Sequence, residues 1–183
     1  LERNNIPYRL KGGEKTFFTS RPVLDITEII RFINNPYDID SFMAIYYKIG
    51  LYITKQTAEA ACKISLQRHI TITDALLGID TGTQISVNSK RNIQQTAQLM
   101  RQAQSSSATE VLSIILHGMQ YADYAHKNGL DENKYDILRM LARNVNSSAE
   151  LIDRLSELSG IMAEHKDDSF SKFTLSTVHS SKG

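Results

Sequence analysis

The sequence has one cysteine, Cys62, in 183 residues, so it can build neither a disulfide framework nor a Cys-rich zinc site. A reducing, cytoplasmic setting is the expectation that follows. It has no long hydrophobic run: stretches such as Ile114-Ile115-Leu116 fall far short of the ~20 residues a membrane helix needs. The opening Leu1-Glu2-Arg3 is no signal peptide, and no membrane partner is expected. It has little excess charge of either sign, 21 Lys+Arg against 20 Asp+Glu, a formal net charge of +1. No global basic field announces nucleic acid, so any DNA contact must come from local patches. What is present is ordinary: 41% apolar and 22% charged residues argue against a disordered, collagen-like or coiled-coil chain and predict one main core.

Catalytic constellations are missing as well. The five histidines, His69, His117, His126, His165 and His179, stand too far apart for a helical i, i+4 metal pair. Carboxylates such as Asp131-Glu132 and Asp167-Asp168 are adjacent along the chain and diverge, which suits helix starts and solvated loops rather than acid–base work. Cys62 lies in an apolar helical stretch without a basic neighbour, the setting of an inert core thiol. Gly12-Gly13-Glu14-Lys15-Thr16 looks like the tail of a phosphate-binding loop and is not one. A glycine must directly precede the lysine for the backbone to wrap phosphate, and here Glu14 intervenes with a negative charge.

The dominant pattern is helical. Ile6 to Phe18 reads as short extended segments around the Gly12-Gly13 turn. From Pro22, apolar residues at Val23, Ile26, Ile30 and Ile33 predict a helix to about Asn34. Asp38 can cap a second helix that buries Phe42, Ile45 and Ile49 and ends near Gly50. Thr54 to Arg68 reads as a third, with Ala58, Ala61, Cys62 and Leu66 inward; Thr71-x-x-Asp74 opens a short fourth. Gly78 to Gly82 is a loop, and Asn88 to Gln104 a polar helix with a narrow stripe of Ile93, Ala97 and Met100. After the linker or cap Ser105-Ser106-Ser107, one helix carries Val111, Ile115, Met119 and Ala122 and ends near Asn128-Gly129. Asp131 starts another with Ile137, Leu138, Leu141 and Val145 inward. Ser147-x-x-Glu150 caps the last, striped by Leu151, Leu155, Leu158 and Met162. The pattern then flips to the strand-like run Phe173 to Val178. The fold class is therefore mainly α, about seven or eight helices between short β segments, as a helical insertion into an α/β core would look.

Two end motifs are specific when taken together. Near the start stands Asn5-Ile6-Pro7-Tyr8-Arg9-Leu10-x-Gly12-Gly13, then Phe17-Phe18, then a helix carrying Asp25; at the finish stands Thr177-Val178-His179-Ser180-Ser181-Lys182-Gly183. The first resembles motif IVa of UvrD/PcrA/Rep helicases, the second the opening of their motif V, in the right order and separated by a helical span. The resemblance covers the whole chain. It implies a superfamily 1 motor in which two RecA-like halves clamp ATP with Mg and move single-stranded DNA 3′ to 5′ in repair or replication. This chain would supply only a piece of it, without the ATP site and with no cofactor of its own.

On that resemblance, residues 1–35 belong to the second RecA-like half, 36–168 form the helical insertion subdomain, and 169–183 are the return strand and the start of motif V. Absence of an initial methionine and the stop directly after a strand-like run fit a piece of a longer protein. Thr177 and His179 map onto residues that meet the DNA backbone, as neutral donors suited to holding a strand without locking it, and Lys182 adds charge. Tyr8, Arg9, Gly12 and Gly13 map onto a structural turn of the motor half. The hairpin through which the family's insertion meets duplex DNA has the character P-x-R-G-I-G. Here it reads Tyr46-Tyr47-Lys48-Ile49-Gly50-Leu51-Tyr52-Ile53-Thr54-Lys55, which keeps a glycine and the cations Lys48 and Lys55 and loses the proline, the arginine and the second glycine. Lys90, Arg91 and Arg101 form a second basic stretch. The partners implied are single-stranded or forked DNA and the rest of the helicase chain. The alternative is a free-standing all-helical protein-interaction or regulatory module.

Overall fold

The computed structural model describes residues 8–11, 15–78, 87–164 and 173–176, with side chains for 17–78 and 88–162. In chain order the elements are β1 Tyr8–Lys11, α1 Lys15–Phe18, α2 Arg21–Asn34, α3 Ile39–Ile45, α4 Lys55–Arg68, α5 Ile72–Gly78, α6 Val87–Gln104, α7 Ala108–Ser113, a π-helical turn Ile114–Gly118, α8 Tyr121–Lys127, α9 Lys134–Ala142, α10 Ser148–Glu164 and β2 Phe173–Ser176. The two strands pair in parallel, Tyr8 opposite Phe173 and Lys11 opposite Ser176, so the whole helical block lies between neighbouring strands of one small sheet.

α2 is the centre of the block. Ile26, Ile29, Ile30, Phe32 and Ile33 are wholly buried, and the helix packs on α1, α3, α6, α9 and α10. Starts and stops follow side-chain chemistry. Asp38 accepts from the Ser41 N–H at 3.1 Å and Thr54 from the Thr57 N–H at 3.2 Å. Thr71 accepts from the Asp74 N–H at 3.0 Å. Ser107 and Glu110 close a reciprocal capping box before α7. At Ser147-x-x-Glu150 only half of the expected box forms: Ser147 accepts from the Glu150 N–H, while the Glu150 carboxylate turns back to the Asn146 N–H at 2.8 Å.

The departures from the sequence reading have local causes. Thr16 to Phe18 is a helical turn rather than an extended one, because Phe17 turns its ring into the core and α1 packs on α10. α3 stops at Ile45, well short of Gly50: the Lys48 N–H returns to the Ile45 carbonyl at 2.8 Å, and the Gly50 N–H leaves the local chain for the Met119 carbonyl at 2.9 Å. Leu66 is 62% exposed, since the buried arc of α4 runs through Thr57, Ala58, Ala61, Cys62 and Ser65. On α9 the buried stripe is Tyr135, Leu138 and Ala142, which turns Ile137 outward.

The single helix expected over 108–128 is broken. It winds as a π-turn over Ile114–Gly118, with the Met119 N–H reaching back to the Ile114 carbonyl, and then Gln120 takes a left-handed φ of 61°. Gly118 makes the wide turn possible on its crowded side, where a Cβ would meet Leu99 Cδ1 at 3.2 Å. This break and the extra helix α1 help to account for ten α-helices among the described residues where about seven or eight were expected. Cys62 is buried and unpaired, and burial pushes its thiol up to about 11, as an inert core thiol requires. No helix among the described residues is long and apolar enough to cross a membrane.

The register of α4 and α7 predicts a sharp contrast. Leu112→Ala, at a site 1% exposed, is expected to cost about 2–5 kcal/mol in urea unfolding. Leu66→Ala is expected to stay within about 0.5 kcal/mol of the parent.

Candidate functional site

A carboxylate in the middle of an apolar helix face costs several kcal/mol unless donors meet it. Asp25 of α2 is only 3% exposed, and it is met on both oxygens. Oδ1 accepts from Lys48 Nζ at 2.7 Å and from Arg21 Nε at 3.1 Å; Oδ2 accepts from the Tyr121 hydroxyl at 3.0 Å. The carboxylate raises the Arg21 guanidinium further above its ordinary value. Burial first, and then the neighbouring negative charge, push the Tyr121 hydroxyl upward, so it remains a neutral donor. Tyr135 stacks edge-on against Tyr121 at 6.4 Å, and burial pushes its hydroxyl up to about 12; among the described residues that hydroxyl has no hydrogen-bond partner.

These bonds tie three remote pieces of chain to one atom group: the start of α2, the 46–54 connection between α3 and α4, and the first residue of α8. Above them lies an open cleft of about 300 Å³ lined by Tyr47, Lys48, Gly50, Tyr52, Gln120, Asp123, Tyr124 and Lys127 among others. Its two sides are clasped together. Gly50 donates to Met119, and a Cβ on Gly50 would stand 3.0 Å from Gln120 Oε1, so a side chain there would press on the Gln120 amide. The Tyr52 hydroxyl donates to Gln120 Oε1 at 2.7 Å. Both Tyr52, at φ 50°, and Gln120, at φ 61°, hold left-handed backbone, which costs an ordinary residue about 1–2 kcal/mol each. Ser89 bonds the Tyr52 carbonyl at 3.4 Å, bringing the start of α6, with exposed Lys90 and Arg91, beside the hairpin.

The structure sorts the residues singled out from sequence. Lys48 is not a surface cation: it is 5% exposed, its ammonium is taken by Asp25, and it sits 5.2 Å from the Tyr47 ring centroid, so it has no charge to offer a phosphate. It sits past the end of α3, in the 46–54 connection, and turns inward to Asp25. Lys55 opens α4 with its side chain 72% exposed and touches Glu59 only at 3.8 Å, so it is open to solvent anions. Arg101 lies 3.9 Å from Asp74, away from this cleft. Tyr8 and Arg9 stand on β1, opposite Phe173 and Thr174. Gly12, Gly13, Thr177, His179 and Lys182 lie outside the described residues. Among the described residues no group of three or more His, Cys, Asp or Glu could hold a metal ion. Sequence reasoning passed over the cluster itself. Two signals pointed to it: Asp25 belongs to the first end motif, and it falls on the same helix face as Pro22, Ile26 and Ile29, where a carboxylate needs a partner.

The class these features define is a mainly helical domain inserted between two parallel strands, with a buried ion cluster beneath a tyrosine-lined cleft. No family model matches the chain. It is similar to the ATP-dependent DNA helicase PcrA of two strains of Staphylococcus epidermidis, 24% identical over 197 residues in each case, an alignment that takes in 99% of this chain and 26% of the relative. The chain thus spans about a quarter of the length of the curated relatives it matches. The similarity supports a UvrD/PcrA-like helicase region.

Breaking the cluster on one side leaves a buried charge. Lys48→Met and Asp25→Leu are each expected to cost about 3–5 kcal/mol, and the double variant to recover most of that loss. Urea unfolding of the four proteins measures it; additive losses would contradict a direct Asp25–Lys48 pairing.

Proposed function

We propose that this chain is the helical accessory subdomain of an ATP-dependent 3′ to 5′ DNA helicase, joined at both ends to the second motor half and carrying no ATPase site of its own. The observation that carries the reading is the similarity to PcrA helicases over 99% of the chain. The parallel pairing of β1 with β2 supports it: a helical block that leaves a sheet and returns to the neighbouring strand fits an insertion into a RecA-like core. On this reading residues 1–35 and 169–183 belong to the motor, 36–168 to the insertion, and ATP and Mg bind in parts of the parent outside this chain.

DNA contact on this reading falls to the second end motif and to Lys55. Thr177 and His179 would hold backbone phosphates by neutral hydrogen bonds, with Lys182 beside them. Lys55, at the N-terminus of α4, adds a cation where the helix dipole also favours an anion. Burial of Lys48 removes one cation from the hairpin, and that observation favours the second reading, a helical protein-interaction module.

Titrating forked and single-stranded DNA against salt separates the two. Binding is expected to weaken steeply as salt rises, and Lys55→Ala to lower the slope of log K against log salt by about one. The chain is expected to turn over no ATP. ATP turnover would contradict the accessory role; no DNA binding even at low salt would leave the interaction module.

A further inference from the structure

The cleft above the Asp25 cluster keeps large aromatic surface in water. Tyr47 and Tyr52 line it and are 50% and 65% exposed, and Tyr124 stands edge-on to Tyr47 at 6.1 Å. Tyr52 is held there against its own backbone preference, in a left-handed conformation braced through its hydroxyl by Gln120, which is left-handed too. A tyrosine needed only for packing would not be kept two-thirds exposed by two strained residues. Charge indicates what approaches. Asp25 has one charge and two cations: Lys48 is buried against it, while Arg21, its side chain 55% exposed, also reaches the Tyr47 hydroxyl at 3.5 Å. Lys127 and Asp123 line the cleft together, so one positive charge is left over beside it, which disfavours a cationic peptide. Lys127 is exposed and has no ion pair among the described residues.

We propose that this cleft receives an unpaired nucleobase of single-stranded DNA, stacked on Tyr52 and Tyr47, with Lys127 meeting the adjoining phosphate. The proposal rests on the DNA-handling reading above and deepens it: the hairpin recognises the flat face of a base, not the backbone charge of a duplex. The cleft volume of about 300 Å³ lies at the small end of ligand sites, suited to one planar ring system with one face open to the next base. Stacking of this kind tolerates any base, because every base has a π-face. Gln120 and Asp123 also line the cleft and carry hydrogen-bonding groups for its edge.

The test compares binding of the protein to a short oligothymidylate and to the same sugar-phosphate backbone with its bases removed, at one salt concentration. The oligothymidylate is expected to bind roughly ten-fold tighter. Tyr52→Gly and Tyr47→Ala are expected to reduce it to the abasic level, while Tyr37→Ala, an exposed tyrosine on a different groove, leaves it unchanged. Tyr52→Gly relieves the left-handed strain, so its Tm is expected to stay near that of the parent and separates lost binding from lost folding. Equal binding of normal and abasic strands overturns the stacking site and leaves the DNA reading intact. No binding of either strand removes both.

Discussion

A carboxylate taken out of water into an apolar interior must be met by donors, and where those donors come from fixes which pieces of chain can be neighbours. Asp25 draws its donors from residues 4, 23 and 96 positions away. Lys48 gives up its place on the surface to reach it. Tyr121 does so from the first turn of α8, directly after the π-turn and the left-handed Gln120. The π-turn, the left-handed Gln120 and the early stop of α3 lie on the two pieces of chain that bring those donors to one carboxylate. The hydrophobic core supplies bulk stability; this cluster supplies the particular arrangement at the hairpin end.

The chemistry left at the surface follows from what the cluster consumes. With Lys48 committed inward, the hairpin keeps its glycine, its exposed tyrosines and the outlying Lys55. Gly50 lets its backbone lie against Met119 and Gln120, and the clasp from Tyr52 to Gln120 holds an aromatic ring in solvent at the edge of the cleft. A segment that loses point charge and retains ordered aromatic surface is suited to stacking and poorly suited to gripping phosphates. That distinguishes it physically from a hairpin built around arginine and paired glycines.

Much of the helical order was legible in the sequence. The stripes of α2 and α6, Leu151 and Leu155 of α10 and the caps at Asp38 and Thr71 emerge from period and side-chain chemistry, because each is decided within a turn or two of chain. What was illegible was decided at long range. The periodicity of Val111, Ile115, Met119 and Ala122 reads as one straight helix, and nothing local reveals that Tyr121 must turn toward Asp25. Lys48 reads as a hairpin cation because its partner is 23 residues away. Leu66 and Ile137 went astray for a simpler reason: each sits one step outside an arc that Ser65 and Tyr135 occupy, and small polar or amphipathic residues on a buried face are invisible to a purely apolar stripe. Of the end motifs that carried the family resemblance, the first contributes Asp25 to the candidate site, while its partners Lys48 and Tyr121 came from the structure; the second, Thr177 to Gly183, lies outside the described residues.

The central claim is that the Asp25 cluster pins the hairpin against the break before α8. Native-state hydrogen exchange at the Gly50 amide, which is bonded to the Met119 carbonyl, tests it most directly. The account predicts that Gly50 is protected in the parent and that Lys48→Met lowers its protection well beyond the loss at the buried Ala61 amide of α4. Equal losses at both amides, or a Gly50 amide as protected in the variant as in the parent, would contradict it.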